Sequence, residues 1–127
     1  MAHPSDRKYS KEHEWVLVDG DVATIGISEF AQDQLGEVVY IDLPDTGDAL
    51  EAGDTFGEIE SVKSVSELFA PVSGEIVEVN SSLDDTPETV NADPHGTGWM
   101  IKIKMDDAAQ VDALLSAEEY DTFTVEG

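Results

Sequence analysis

The sequence predicts a mostly β domain, a compact sheet sandwich or flattened barrel with small helices at its periphery. Three observations carry that prediction. Apolar and polar residues alternate over short runs, most clearly where Trp99, Ile101, Ile103 and Met105 interleave with Met100, Lys102 and Lys104. Turn-forming residues such as Asp19-Gly20, Pro44, Gly47, Gly53 and Gly74 punctuate those runs. Helix-period stripes with capping residues occur only in a short internal stretch and at the C-terminus.

The elements follow in order. Trp15 to Val18 reads as a strand that stops at the two-residue hairpin turn Asp19-Gly20. Asp21 to Ile27 returns beside it, with Ala23, Ile25 and Ile27 on one face. Ser28 caps a short helix that Gly36 ends in a left-handed conformation, with Ala31 and Leu35 one turn apart. Val38 to Leu43 is a strand closed by Pro44. Turns follow at 45–48 and 52–54. Phe56 to Ser61 and Val65 to Phe69 flank Val62-Lys63-Ser64 as a hairpin, and Glu75 to Asn80 is the next strand. Ser82 to Gly98 reads as a long polar loop, and Trp99 to Met105 as the last strand. Ala108, Val111, Leu114 and Leu115 form a helical stripe, after which Ser116 and Glu119 match a capping box. The C-terminal helical segment covers about 106–123. Gly36-Glu37-Val38, Gly57-Glu58-Ile59 and Gly74-Glu75-Ile76 begin alike, a weak internal similarity.

A chain of 127 residues suits one domain over 1–127, large enough to bury a core without crosslinks. It has no cysteine, which excludes disulfides and thiolate metal sites and fits a cytoplasmic protein. His3, His13 and His95 lack zinc spacing, and no acidic run matches a calcium loop, so no metal site is expected. The start of the chain is polar, without the apolar run of a signal peptide, and no segment has membrane-spanning length. There are 29 Asp and Glu against 6 Lys and Arg, a net charge of -23. Like charge makes nucleic acid and anionic membranes poor partners. Charge on this scale also suggests adaptation to a salt-filled, halophilic cytoplasm, against the plainer reading of a solvated acidic surface.

The basic residues are unevenly placed. Between Lys11 and Lys102 there is one lysine and no arginine: Lys63, inside Glu58-Ile59-Glu60-Ser61-Val62-Lys63-Ser64-Val65-Ser66-Glu67. An amine at a hairpin tip, joined to a carboxylic cofactor by an amide, becomes a long uncharged tether kept clear of the core. The competing explanation is a solvated lysine balancing Glu60 and Glu67. Exposed ion pairs of that kind contribute only about 0 to 1 kcal/mol, and spacing alone leaves the two readings level.

The residues around Lys63 bear on that choice. Glu60-Ser61-Val62-Lys63, followed by Phe69-Ala70-Pro71-Val72-Ser73-Gly74-Glu75-Ile76-Val77-Glu78-Val79-Asn80, resembles the lipoylation hairpin of glycine cleavage H proteins. Tyr9 with His13-Glu14-Trp15-Val16 is similar to the family's opening. Ala23 to Ile27, Ala31-Gln32, Leu35 to Tyr40 and Leu43-Pro44 are similar to its next blocks. So are Pro87-Glu88, Val90-Asn91, Asp93-Pro94, Gly98 to Ile103, Leu114-Leu115 and Glu119-Tyr120. The ordered set runs from about Tyr9 to the end. Three positions depart from the family's common pattern: Ser64 stands where Ala is usual, His95 where Tyr is frequent, and Gln34 where His is frequent.

The resemblance implies a lipoyl-type flattened barrel or β-sandwich hybrid, with a lipoyl hairpin at about 56–70. It implies a carrier rather than an enzyme, with lipoate attached covalently to Lys63. Its expected partners are a pyridoxal phosphate glycine decarboxylase (P protein), a folate-dependent aminomethyltransferase (T protein) and dihydrolipoyl dehydrogenase (L protein). A lipoate-attaching enzyme is a fourth. The arm would take the aminomethyl group of glycine from the first to the second and electrons to the third, at high effective concentration because it is tethered. The family is thought to shelter the loaded arm in a surface cleft. Glu14 is the first candidate to hold its ammonium by a charge-assisted hydrogen bond, and Glu12 and Glu67 are the others. Alternatives are a lipoyl donor or relay that uses the same lysine, and the lipoyl domain of a 2-oxoacid dehydrogenase complex. The latter resembles an Asp-Lys-Ala turn rather than Val62-Lys63-Ser64. A biotin carrier would have methionines beside the lysine, and an acidic interaction module would leave it unmodified.

Overall fold

Alternating burial organises the chain into nine strands in two antiparallel sheets, in a computed structural model that describes residues 3–126. The strands are β1 (Lys8–Tyr9), β2 (Glu14–Asp19), β3 (Val22–Ile27), β4 (Val38–Asp42) and β5 (Ala49–Leu50). They continue with β6 (Thr55–Ser61), β7 (Val65–Phe69), β8 (Gly74–Val79) and β9 (Ile101–Met105). The helices are α1 (Glu29–Leu35), α2 (Ser82–Asp85), α3 (Thr89–Ala92), α4 (Ala109–Asp112) and α5 (Ala117–Glu126). The larger sheet has the order β1-β2-β3-β9-β8-β5 and the smaller one β4-β6-β7. This is the mostly β, two-sheet architecture that alternation and turns predict, with short helices around it.

The inward rows explain the packing. Ala23, Ile25 and Ile27 of β3 and Ile101 and Ile103 of β9 face Ile41, Ile59 and Leu68 of the smaller sheet across one core. Ala31 and Leu35 lay the inner side of α1 on the same core. A second cluster, Tyr9, Trp15, Ala117 and Tyr120, seats α5 against β1 and β2. The capping box forms as read: Ser116 N–H donates to Glu119 Oε1 at 2.9 Å, and Glu119 N–H to Ser116 Oγ at 3.2 Å.

Several local expectations change. The first hairpin loop is Gly20-Asp21, one residue later than Asp19-Gly20, because Asp19 pairs with Val22. Gly36 has φ 82° and ψ -153°, an extended positive-φ state rather than the left-handed helical one. The polar stretch 82–98 is not a plain loop. The fully buried Leu83 and Val90 pin two single turns, α2 and α3, which polar composition conceals. The last strand starts at Ile101, because Met100 is fully buried and breaks the expected alternation with Trp99. The stripe from Ala108 to Leu115 is one turn of helix, since Leu115 instead pairs with Tyr9 in an isolated bridge. β1 and β5 have two residues each, too short for periodicity to register. Met1, Ala2 and Gly127, the ends of the expected 1–127 domain, lie outside the described residues.

Candidate functional site

Lys63 sits at the exposed tip of the β6–β7 hairpin. Glu60 pairs with Val65, and Ser61 N–H donates to Ser64 O at 2.8 Å to close the turn. The nearly buried Ser61 also accepts at Oγ from Lys63 N–H (3.2 Å) and Ser64 N–H (3.1 Å). One small side chain thus satisfies two backbone donors of the tip, which explains a serine here. Val62 N–H donates to Glu37 O at 3.0 Å and ties the tip to the segment after α1.

The lysine stem lies over Gly36. A Cβ there would come within 2.6 Å of Lys63 Cε, and its φ of 82° suits glycine. Lys63 Nζ is 3.5 Å from Gln34 O, near the carbonyl end of α1. Among the described residues no ion pair involves Lys63, so it is not held by Glu60 or Glu67.

Beside the tip lies an open cleft of about 440 Å³. Glu12, His13 and Glu14 form one wall, Phe30 and Gln34 of α1 a second, and Ser64 and Glu67 a third. All three carboxylates named from the sequence therefore meet in one place, next to the chain neighbour of Lys63. They are not equivalent. Glu12 and Glu67 are exposed, whereas Glu14 is 2% exposed. Burial pushes the Glu14 carboxyl up to about 8, against the lowering effect of its hydrogen bonds. Ser10 Oγ–H donates to it at 2.6 Å, and Phe69 N–H points to it at 3.4 Å. A protonated acid held in a cleft is poised to ionise when a cation arrives, because the pair then offsets the cost of burying each charge.

Sequence reasoning missed His13 and Gln34 as cleft residues. His13 has φ 74°, the one positive φ among described non-glycine residues, and this turns its ring toward α1. No local signal announces that backbone state. Among the described residues, no group of three or more His, Asp or Glu side chains is placed to hold a metal ion. No described helix is long and apolar enough to cross a membrane.

Comparison with known proteins bears on this arrangement. The family profile described as Glycine cleavage H-protein matches residues 7–127. Glycine cleavage system H proteins from two strains of Staphylococcus epidermidis are each 58% identical over 120 residues, covering 94% of this chain and 95% of the relative. The crystal structure of a glycine cleavage system H protein from Mycobacterium marinum superposes with a TM-score of 0.88 at 40% identity, over 95% of this chain and 98% of that one.

Proposed function

We propose, from the premise that the chain belongs to the glycine cleavage H-protein family, that Lys63 is the residue through which it acts as that system's lipoyl carrier. The family carries lipoate covalently on a lysine and works as a non-catalytic component with the P, T and L proteins. When attached, lipoate would supply a dithiolane whose S–S bond opens as one sulfur takes the aminomethyl unit of glycine, so that the two electrons arrive with that unit and are given up later. The chain's own residues do the rest. The single observation that carries Lys63 is its place: an amine with no ion pair among the described residues, on an exposed tip, beside a cleft that its neighbour Ser64 lines.

Ser61 and Glu37 fix the direction of the tip, and Gly36 leaves room for the stem. Glu14 is the residue we assign to hold the amine of the loaded arm, with Glu12 and Glu67 at the rim. Its support is burial: a charge-assisted bond away from water is stronger than one at the rim. The same reading takes 1–127 as one carrier domain, with its lipoyl hairpin at 56–70 and its helical segment at 106–123. The family match over nearly the whole chain supports a free carrier over a lipoyl domain cut from a 2-oxoacid dehydrogenase. A lipoate-attaching enzyme is its further partner.

Lys63→Arg tests the assignment. It should abolish lipoate attachment and carrier activity with the fold intact, while Lys8→Arg and Lys102→Arg should do neither. Peptide mapping that finds lipoate elsewhere overturns it. For Glu14, Glu14→Gln should hasten loss of amine from the loaded protein without slowing lipoate attachment, and an unchanged lifetime removes the role.

A halophilic, cytoplasmic setting is a finer part of the reading. It rests on the charge of -23 and the absence of cysteine, and the Staphylococcus relatives lend it no support. Debye screening shortens from about 30 Å at 0.01 M salt to about 3 Å at 1 M. Salt adaptation therefore expects a melting midpoint that climbs steeply with potassium chloride, and a flat midpoint removes it.

A further inference from the structure

The aromatic corner behind the cleft contains a hydrogen-bond chain that the carrier function does not account for. Tyr120 of α5 is fully buried and stacks on Tyr9, with ring centroids 4.8 Å apart and planes inclined by 9°. Its hydroxyl lies 2.7 Å from Ser28 Oγ and 2.7 Å from His13 Nδ1. Ser28 is the N-cap of α1 and His13 is a wall of the cleft, so one hydroxyl joins the two. Ser28 N–H also donates to His13 O at 3.0 Å, so the junction has both a backbone and a side-chain link.

The direction of the chain follows from counting donors. Ser28 Oγ is fully buried and already accepts Ala31 N–H at 3.1 Å. Its own proton has one acceptor within reach among the described residues, the Tyr120 oxygen. A buried hydroxyl left without an acceptor is costly, so Ser28 donates to Tyr120. The Tyr120 proton then goes to His13 Nδ1. The neutral ring must carry its own proton on Nε2. Among the described residues no buried side-chain nitrogen lacks a partner, and Nε2 has none, so Nε2 is open to solvent or to an occupant of the cleft. Burial also holds His13 below its usual range, in keeping with a neutral ring.

We propose that Tyr120 is a positioning residue: relaying the Ser28 hydroxyl, it locks His13 as the Nε2–H tautomer and gives the cleft a neutral donor for an uncharged acceptor atom of the arm. This rests on the reading of the cleft as the arm's shelter. It divides the work within it. Glu14 takes the cationic amine, and His13, which stays uncharged, takes an amide oxygen or a sulfur. The same hydroxyl fixes the start of α1, whose residues Phe30 and Gln34 form the next wall.

Nitrogen-15 NMR of the His13 ring in the unlipoylated protein reads the tautomer without the arm. The wild type should show a ring protonated at Nε2. Tyr120→Phe keeps the stack on Tyr9 and should give a mixture of tautomers. Ser28→Gly removes the first link at little cost to the cap and should do the same, which covers a Tyr120→Phe protein that folds poorly. A wild-type ring protonated at Nδ1, or one unchanged in the variants, overturns the proposal. In lipoylated and loaded protein, Tyr120→Phe should release amine roughly threefold to tenfold faster, the range one hydrogen bond supports, with lipoate attached at the wild-type rate. If Glu14→Gln shortens the loaded lifetime and Tyr120→Phe does not, the positioning role falls and the shelter stands. If neither does, the shelter itself falls and takes the role with it.

Discussion

The tip that carries Lys63 and the aromatic corner behind the cleft are built in opposite ways. At the tip, Val62 is 63% exposed and Val65 58%, and the turn is held by Ser61 and by one bond from Val62 N–H to Glu37 O. At the corner, Tyr9, Trp15 and Tyr120 are shut off from water. Trp15 Nε1–H donates to Pro94 O at 2.8 Å, and the Arg7 guanidinium lies 4.7 Å from the centroid of the Trp15 ring. The difference matches the two demands on a carrier. On the assignment proposed above, Lys63 carries an arm that must enter several active sites, and it stands on a thin support where little is buried. A surface that shelters the arm, as proposed for the cleft, must not move, and this one is backed by large rings in fixed contact. Glu14 and His13 belong to the second region, although they line the cleft beside the first.

The largest test of that contrast is a pair of substitutions. Gly26 lies against the Trp15 ring, and an added Cβ would approach Trp15 Cζ2 to 2.7 Å. The ring is 1% exposed and has nowhere to go. Gly26→Ala should therefore cost about 1–3 kcal/mol, as overpacking typically does. Val62→Ala removes a side chain that is mostly in water and should stay within about 0.5 kcal/mol of wild type. Urea unfolding of both proteins checks the pair. Equal midpoints would mean that the corner yields as readily as the tip.

The same contrast decides what was legible in the sequence. The tip is local in sequence, so its signals are local: a lone lysine, flanking alternation and a serine two residues earlier all lie within Glu58 to Glu67. Glu14 was nameable because it adjoins Trp15 at the start of a strand, and Ser28 because N-caps have a recognisable residue type. The corner is assembled from distant pieces. Tyr120 meets Ser28 across 92 positions and His13 across 107. Nothing in a short window reports such a meeting, and the positive φ of His13 leaves no trace in residue type. For the same reason the sequence of α2 and α3 reads as loop, since a single buried Leu83 or Val90 anchors each turn without a periodic stripe.

A smaller effect separates the regions by pH. The Glu14 carboxyl is raised to about 8 by burial, whereas an exposed carboxyl such as Glu60 sits in solvent. An acid with a raised folded pKa binds more protons in the native than in the unfolded chain across the interval between its two values. Its contribution to stability is thus complete below the ordinary value of 4.5 and is lost as pH rises through about 8. Other carboxylates titrate as well, so the informative quantity is a difference. Wild type minus Glu14→Gln should decline between those pH values and level off above them. Melting midpoints measured from pH 5 to pH 9 give both curves, and parallel curves would remove the buried-acid account.

The smallest expected effect lies at the tip and asks how thin its support is. Ser61 Oγ accepts from the backbone of both Lys63 and Ser64. Ser61→Ala leaves those two N–H groups to water, which they reach easily because Lys63 and Ser64 are exposed. Each lost bond contributes on the order of 0.5–1.5 kcal/mol where the donor is buried, and less where solvent replaces the acceptor. The stability change should therefore fall near the lower end, about 0.5 kcal/mol. The functional change should exceed it. A lysine whose turn samples several shapes meets the attaching enzyme in the right one less often, so lipoate attachment should slow about threefold to tenfold, as it does when a competent state is only fractionally populated. Ser61→Thr keeps the hydroxyl and should restore most of the rate. Attachment kinetics followed by intact mass, beside a thermal melt, distinguish the outcomes. Unchanged kinetics in Ser61→Ala would mean that the pairing of Glu60 with Val65 and the bond to Glu37 hold the tip without the serine. A loss of stability as large as that of Gly26→Ala would mean that the tip is part of the core after all.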